Sequence, residues 1–179
     1  MTAHPLLPPA AEIVAEMRRS AIEARQNSTS PWAALIVDLV ESNMRQWDLE
    51  DRSRDPGASD AEVADNKREI DRLNIGRHRL VEAIDAATDS VIEQPPLAPL
   101  ATESPGMVLD RLSVLVIRRV RTVAAARHDP AIAERILALD AQIDALSSAL
   151  NSYMDDLRAG QRRFIRYESF KLYGGSVKE

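Results

Sequence analysis

Residues 129–160 read DPAIAERILALDAQIDALSSALNSYMDDLRAG, and the spacing of their apolar side chains decides the fold class. Ile132, Ile136, Leu139, Ile143, Leu146, Leu150 and Leu157 recur at steps of mostly three and four. That period places them on one face of a helix and leaves the charged residues on the other. Asp129-Pro130 opens the helix with an N-cap residue and a proline at its first position. Gly160 marks its C-terminal stop, because glycine accepts the left-handed conformation that ends a helix. Such a heptad-like stripe needs a partner surface, in a bundle or across a dimer.

The same signals extend toward the N-terminus. Ser104-Pro105 opens a helix from Met107 to Ala126 that is apolar on most sides, as a central helix should be. Ser59 or Asp60 caps a long third helix reaching toward Glu93, roughly 50 Å at 1.5 Å per residue. Ser30-Pro31 starts a second helix that ends near Asp55-Pro56-Gly57, and a first runs from about Ala11 to Asn27 with Ile13, Val14, Met17 and Ala21 on one side. A shorter sixth helix is expected around Gln161 to Tyr173. The proline-rich segment Gln94 to Ser104 is a loop, either an ordered flap or a connector. The expected fold is all-α, a bundle of five to six helices with a long third helix. Its organisation is a flexible arm over residues 1–10, one helical domain over 11–173 and a frayed tail over 174–179.

Composition agrees. Hydrophobic residues make up 45% of the 179 but aromatics only 4%, so the core must rest on aliphatic side chains that helices pack readily. The absence of cysteine excludes disulfides, thiolate catalysis and Cys-based zinc sites. Three histidines, none at helical ligand spacing from another, give no metal site. A net charge of −5 argues against nucleic acid as a partner. No apolar run approaches the roughly 20 residues of a membrane span. The opening MTAHPLLPPAAEI lacks a basic region followed by a long apolar stretch, so a cytoplasmic location is expected.

The chemistry lies where apolar stripes turn polar. In the second helix Trp32, Leu35, Ile36 and Leu39 make a core face, and the same face continues to Asn43, Trp47, Glu50 and Arg54, with Asp51 alongside. In the third, Val63, Ile70, Ile84 and Val91 follow a seven-residue repeat whose missing member is Arg77; Lys67, Asp71 and Asn74 lie within a few turns of it. The fourth carries Asp110, Arg111 and Ser113 in its first turns. Charge on an inward face must be paired or line a wet pocket. A satisfied salt network that only fixes register is one reading, and a shared anion-binding pocket is the other. The basic stretch Arg158 to Arg166, with Phe164 interleaved, reads as a phosphate contact or as a charged cap on the fifth helix.

The motifs Asn43-x-x-x-Trp47-x-x-Glu50-Asp51-x-x-Arg54, Lys67-Arg68-x-Ile70-Asp71-x-Leu73-Asn74-x-x-Arg77 and Pro105-Gly106-x-x-x-Asp110-Arg111-Leu112-Ser113 resemble the bacterial family known as domain of unknown function 4254. The resemblance covers roughly Leu35 to Tyr173. Asp48 stands where that family usually has histidine, and His78-Arg79 where it usually has Asn-Asp. The resemblance implies a helical protein of the kind that accompanies glycosyltransferases or other biosynthetic enzymes.

Two functions remain open on the sequence. One is an enzyme of small-molecule biosynthesis, in secondary metabolism or surface-polysaccharide assembly. There Arg54, Arg77 and Arg111 clamp an anionic substrate, Glu50 or Asp51 acts as general acid or base, Lys67 stabilises developing charge and Trp47 walls the pocket. Asn43, Asp71, Asn74, Asp110 and Ser113 complete the binding residues. No cofactor signature and no metal set accompany them. The other is a non-catalytic helical subunit that docks on and activates a biosynthetic enzyme. A homodimer is expected from the surplus of apolar stripe.

Overall fold

The computed structural model describes residues 7–23, 31–127 and 129–169. Within them lie five α-helices: α1 (Ala10–Ile22), α2 (Pro31–Ser53), α3 (Asp60–Asp89), α4 (Pro105–Ala126) and α5 (Ala133–Arg158). The fold is an all-α bundle with the long third helix that the sequence predicts.

The helix starts follow from local chemistry. Ser59 accepts from the Glu62 amide at 3.3 Å while the Glu62 carboxylate takes the Ser59 amide at 2.9 Å, a reciprocal cap that satisfies two otherwise orphaned donors. Ser104 caps α4 over the Met107 amide, with Pro105 in the first turn. Asp129 accepts from the Ala131 amide at 3.0 Å, but the turn it opens, Pro130–Ile132, is a 3-10 helix, and α5 proper begins one turn later. Gly160 ends α5 with φ of +65°, a conformation that disfavours a side chain.

α4 packs against α1, α2, α3 and α5, and Leu109, Leu112, Val116 and Ile117 are buried along it. The stripe of α5 is absorbed inside the same chain: Leu139, Ile143, Leu150 and Leu157 are buried, with α1 and α4 against them. The apolar surplus that suggested a dimer is therefore smaller than the sequence implies.

Several boundaries differ from expectation. α2 stops at Ser53 and α3 at Asp89 rather than Glu93. α1 ends at Ile22, and residues 24–27 lie outside the described residues. Leu7 and Ala10 are buried in the core, so the end of the expected arm is packed; residues 1–6 and the tail over 174–179 lie outside the described residues. The larger correction concerns the sixth helix. Residues 161–169 form no helix, while 170–173 lie outside the described residues. Gly160 turns the chain, and the segment then runs extended, bridging in parallel to the proline loop at Leu100 and Arg163. The Ala101 amide donates to the Arg163 carbonyl at 2.8 Å and the Arg163 amide to the Pro99 carbonyl at 3.0 Å.

Beyond that single bridge, the extended strap has no strand to receive its amides, and buried amides need acceptors. Side chains supply them. The Phe164 amide donates to Gln94 Oε1 at 2.6 Å, the Tyr167 amide to Asp85 Oδ2 at 2.8 Å and the Ser169 amide to Glu82 Oε1 at 2.9 Å. Phe164 is buried beneath the strap.

Candidate functional site

Of the residues singled out in the sequence, one group converges and another does not. The converging group joins α2, α3 and α4. Asp110 accepts Asn43 Nδ2 at 2.9 Å on one carboxylate oxygen and lies 3.3 Å from Arg77 Nη1 on the other. The Asn43 amide also donates to Ser113 Oγ at 2.7 Å, and the Ser113 hydroxyl donates to the Asp110 carbonyl at 2.8 Å. Asn43 and Ser113 are buried, so the network fixes the Asp110 carboxylate from beneath. Arg77 occupies the stripe position that an aliphatic residue would fill. Its partner is a carboxylate 33 positions along the chain, yet its Nε is buried and makes no hydrogen bond. Leaving a charged donor buried and unpaired is costly, so the protein itself under-satisfies this arginine, which also lines the cleft described below.

The second group fails to converge. Glu50, Asp51 and Arg54 sit at the tip of the α2–α3 hairpin. Arg54 pairs with Glu50 at 3.0 Å and with Asp51 at 3.5 Å, and its side chain is 69% exposed. Lys67 pairs with Asp71 at 2.8 Å and is 65% exposed. The expectation that these side chains face inward is corrected: they are neighbours three or four apart on their own helices, turned to solvent. The helical step that carries Asn43 inward has rotated off the core by Glu50, and α2 ends three residues later. Trp47 packs partly buried against the core and lines none of the clefts described below. Asn74 is half-buried beside Arg77.

Around Arg77 lies a cleft of about 350 Å³, lined by Arg77, His78 and Val81 of α3, Asp110, Arg111 and Met107 of α4, Glu103 of the preceding loop, and Tyr167 of the strap. Arg111 reaches Glu103 at 3.0 Å across its mouth. His78 Nδ1 lies 3.0 Å from Ser169 Oγ, and its ring meets Tyr167 edge-on at 5.5 Å between centroids. The strap thus forms one wall of the cleft and orients the histidine.

The wall is anchored by a residue the sequence reading missed. Asp85 is 0% exposed. It takes the amides of Gly106 (2.7 Å) and Tyr167 (2.8 Å), so one carboxylate joins α3, the start of α4 and the strap. Burial pushes its carboxyl above the ordinary range, opposed by hydrogen bonds from Ser104, Tyr167 and Gly106 and by the Arg166 charge. A Cβ on Gly106 would stand 2.6 Å from the Val81 carbonyl and 2.8 Å from Asp85 Oδ1, which explains glycine after Pro105. Asp85 lies among the buried positions Val81, Ile84 and Thr88 of α3, a charge on an inward face as Arg77 is on its own stripe, and that signal was available. Glu103 and Tyr167 were not flagged because loop and strap positions carry no periodicity, and His78 because it lies beside the α3 stripe rather than interrupting it.

Among the described residues, no group of three or more His, Asp or Glu side chains gathers to hold a metal ion, and no helix is long and apolar enough to cross a membrane. No curated protein and no solved structure matches this chain. The profile of the family described as "Protein of unknown function (DUF4254)" matches residues 33–165. The chain belongs to that family.

Proposed function

We propose, proceeding from that membership, that the chain is a cytoplasmic enzyme of small-molecule biosynthesis that binds an anionic substrate in the cleft between α3, α4 and the strap. The observation that carries this reading is that Arg77, under-satisfied by the protein, and Arg111 line the same cleft. A guanidinium engaged by Asp110 through Nη1 has further donors for a second acceptor, and carboxylate or phosphate oxygens match them. Arg111 supplies a second positive charge on the same cleft.

The chemistry shifts with the geometry. Glu50, Asp51 and Lys67 lie outside this cleft, so general acid–base roles pass to Glu103 and His78, which line it. When the substrate anion takes Arg111, Glu103 is released as a carboxylate within reach of the bound molecule. His78, oriented through Nδ1, is the second proton carrier. Asn43 and Ser113 are positioning residues that act through Asp110. The docking-subunit reading has its own support in the proline loop, where Leu97 is 98% exposed; the expected homodimer belongs with that reading.

The test is the Arg77 Nε–H resonance, identified by its loss in Arg77→Met. Titration with inorganic phosphate, acetate or larger metabolite acids should move that resonance, and Glu103→Gln should retain binding. A resonance that stays fixed while no anion raises the melting temperature would sink the enzyme reading and favour a docking subunit.

A further inference from the structure

A second cleft of about 370 Å³ adjoins the first, and the two share Glu103 and Arg111 among their walls. The second differs in character. Its floor is Val108, Leu146 and Leu150, with Ala149 at the edge, and Tyr153 closes one side. The Tyr153 hydroxyl donates to the Glu103 carbonyl at 3.0 Å, so the phenol presents its ring to the cleft while its polar end is satisfied. Burial holds that phenol protonated well beyond its ordinary range. The first cleft, by contrast, carries the Arg77 edge, Asp110 and His78.

Resting on the anion-binding reading above, we infer that the ligand is an amphipathic organic acid, its carboxylate held between Arg77 and Arg111 and its apolar body lying over Val108, Leu146 and Leu150. Three observations combine. Arg77 and Arg111 on the walls of one chamber select an anion. An aliphatic floor in the next chamber gains from covering by hydrocarbon. The partition between them is the Arg111–Glu103 pair, in which the Arg111 side chain is 56% exposed. An ion pair that open to solvent contributes little, so a ligand carboxylate exchanges with Glu103 readily and joins the chambers. Each cleft alone falls near the lower end of the roughly 300–1,000 Å³ typical of small-molecule sites. Joined, they accommodate an acid with a substantial body.

The test uses the full chain and a homologous series of acetate, butanoate and hexanoate, with inorganic phosphate as the control that lacks an apolar body, followed by calorimetry or by the Arg77 Nε–H resonance. Each methylene that becomes fully buried tightens binding by about fourfold, so hexanoate should bind at least tenfold more tightly than acetate. Ala149 is exposed, and Ala149→Phe should fold normally, fill the mouth of the apolar chamber and erase the dependence on chain length while acetate binding persists. Arg77→Met should weaken the whole series. Equal affinity for acetate and hexanoate, both lost in Arg77→Met, would overturn the amphipathic ligand and leave the anion site standing. Chain-length dependence that survives Ala149→Phe would place the apolar body elsewhere and also overturn this inference. Binding of none of the series, or binding untouched by Arg77→Met, would remove the anion site itself.

Discussion

The α2–α3 hairpin tip and the junction of α3, α4 and the strap are both rich in charge, but they hold it in opposite ways. At the tip, Arg54 finds Glu50 and Asp51, and Lys67 finds Asp71, all within four residues on the same helix and all facing water. At the junction, Asp85 reaches Gly106 and Tyr167, and Asn43 and Arg77 reach Asp110, across 21 to 82 positions of chain. Local pairs form whenever a helix forms and contribute a few tenths of a kcal/mol each, about 0.3–0.5. Distant pairs form only when the tertiary structure brings them together, and those of Asp85 lie where water cannot replace a lost partner. Separation along the chain, more than charge density, tells a site from a surface.

The largest expected effect tests this contrast directly. Asp85→Ala strands the Gly106 and Tyr167 amides in the interior, and an unsatisfied buried donor costs about 1–3 kcal/mol. Part of that is offset by removing a buried charge, so urea unfolding should show a loss of about 2–4 kcal/mol. Glu50→Gln at the tip should change stability by less than about 0.5 kcal/mol and leave anion binding untouched. Equal losses in the two variants would erase the distinction.

A smaller effect sharpens it. Arg77→Met keeps the hydrocarbon stem but removes the partner of a carboxylate whose side chain is 20% exposed. Asn43 still donates to Asp110, so the expected loss is about 1 kcal/mol. Arg54→Met, which uncouples two exposed carboxylates, should be neutral within about 0.5 kcal/mol. A double mutant of Arg77→Met with Asp110→Asn should recover part of the first loss, because the pair rather than either residue is what the interior accommodates.

The same contrast explains how much could be read in advance. Helix starts were legible because Ser59, Ser104 and Asp129 act on amides two or three residues away. The central position of α4 followed from its apolar circumference. Asn43 and Arg77 were legible as polar interruptions of core stripes, and Asp110 and Ser113 as polar residues in the first turns of α4, and they do meet. Extending the stripe of α2 to Glu50 and Arg54 failed because periodicity predicts which residues share a face, not where the neighbouring helices stop covering it. The strap was misread as a helix because Phe164 and Tyr167 sit three apart in a sequence that also fits a helix. Its true partners, Gln94, Asp85 and Glu82, lie 70 or more positions upstream. Glu103 and His78 became site residues only through that strap and its loop.

The smallest effect concerns pH, and its sign separates the two regions. Burial raises the Asp85 carboxyl in the folded protein. The native state then holds its proton at a pH where the unfolded chain has released it, so stability rises as pH falls from the folded value toward the ordinary aspartate value of about 3.9. Glu62 is the reverse. Hydrogen bonds from the Ser59 hydroxyl and amide hold its carboxyl below the ordinary range. Its contribution is complete above the unfolded value and is lost as pH falls through the depressed folded one. Comparing each variant with the parent isolates the two groups. As pH is lowered through the acid range, the margin of the parent over Asp85→Asn should widen, and its margin over Glu62→Gln should shrink. Parallel trends in the two comparisons would mean that Asp85 is as well solvated as the hairpin, and the junction would lose its claim to be a buried, organised site.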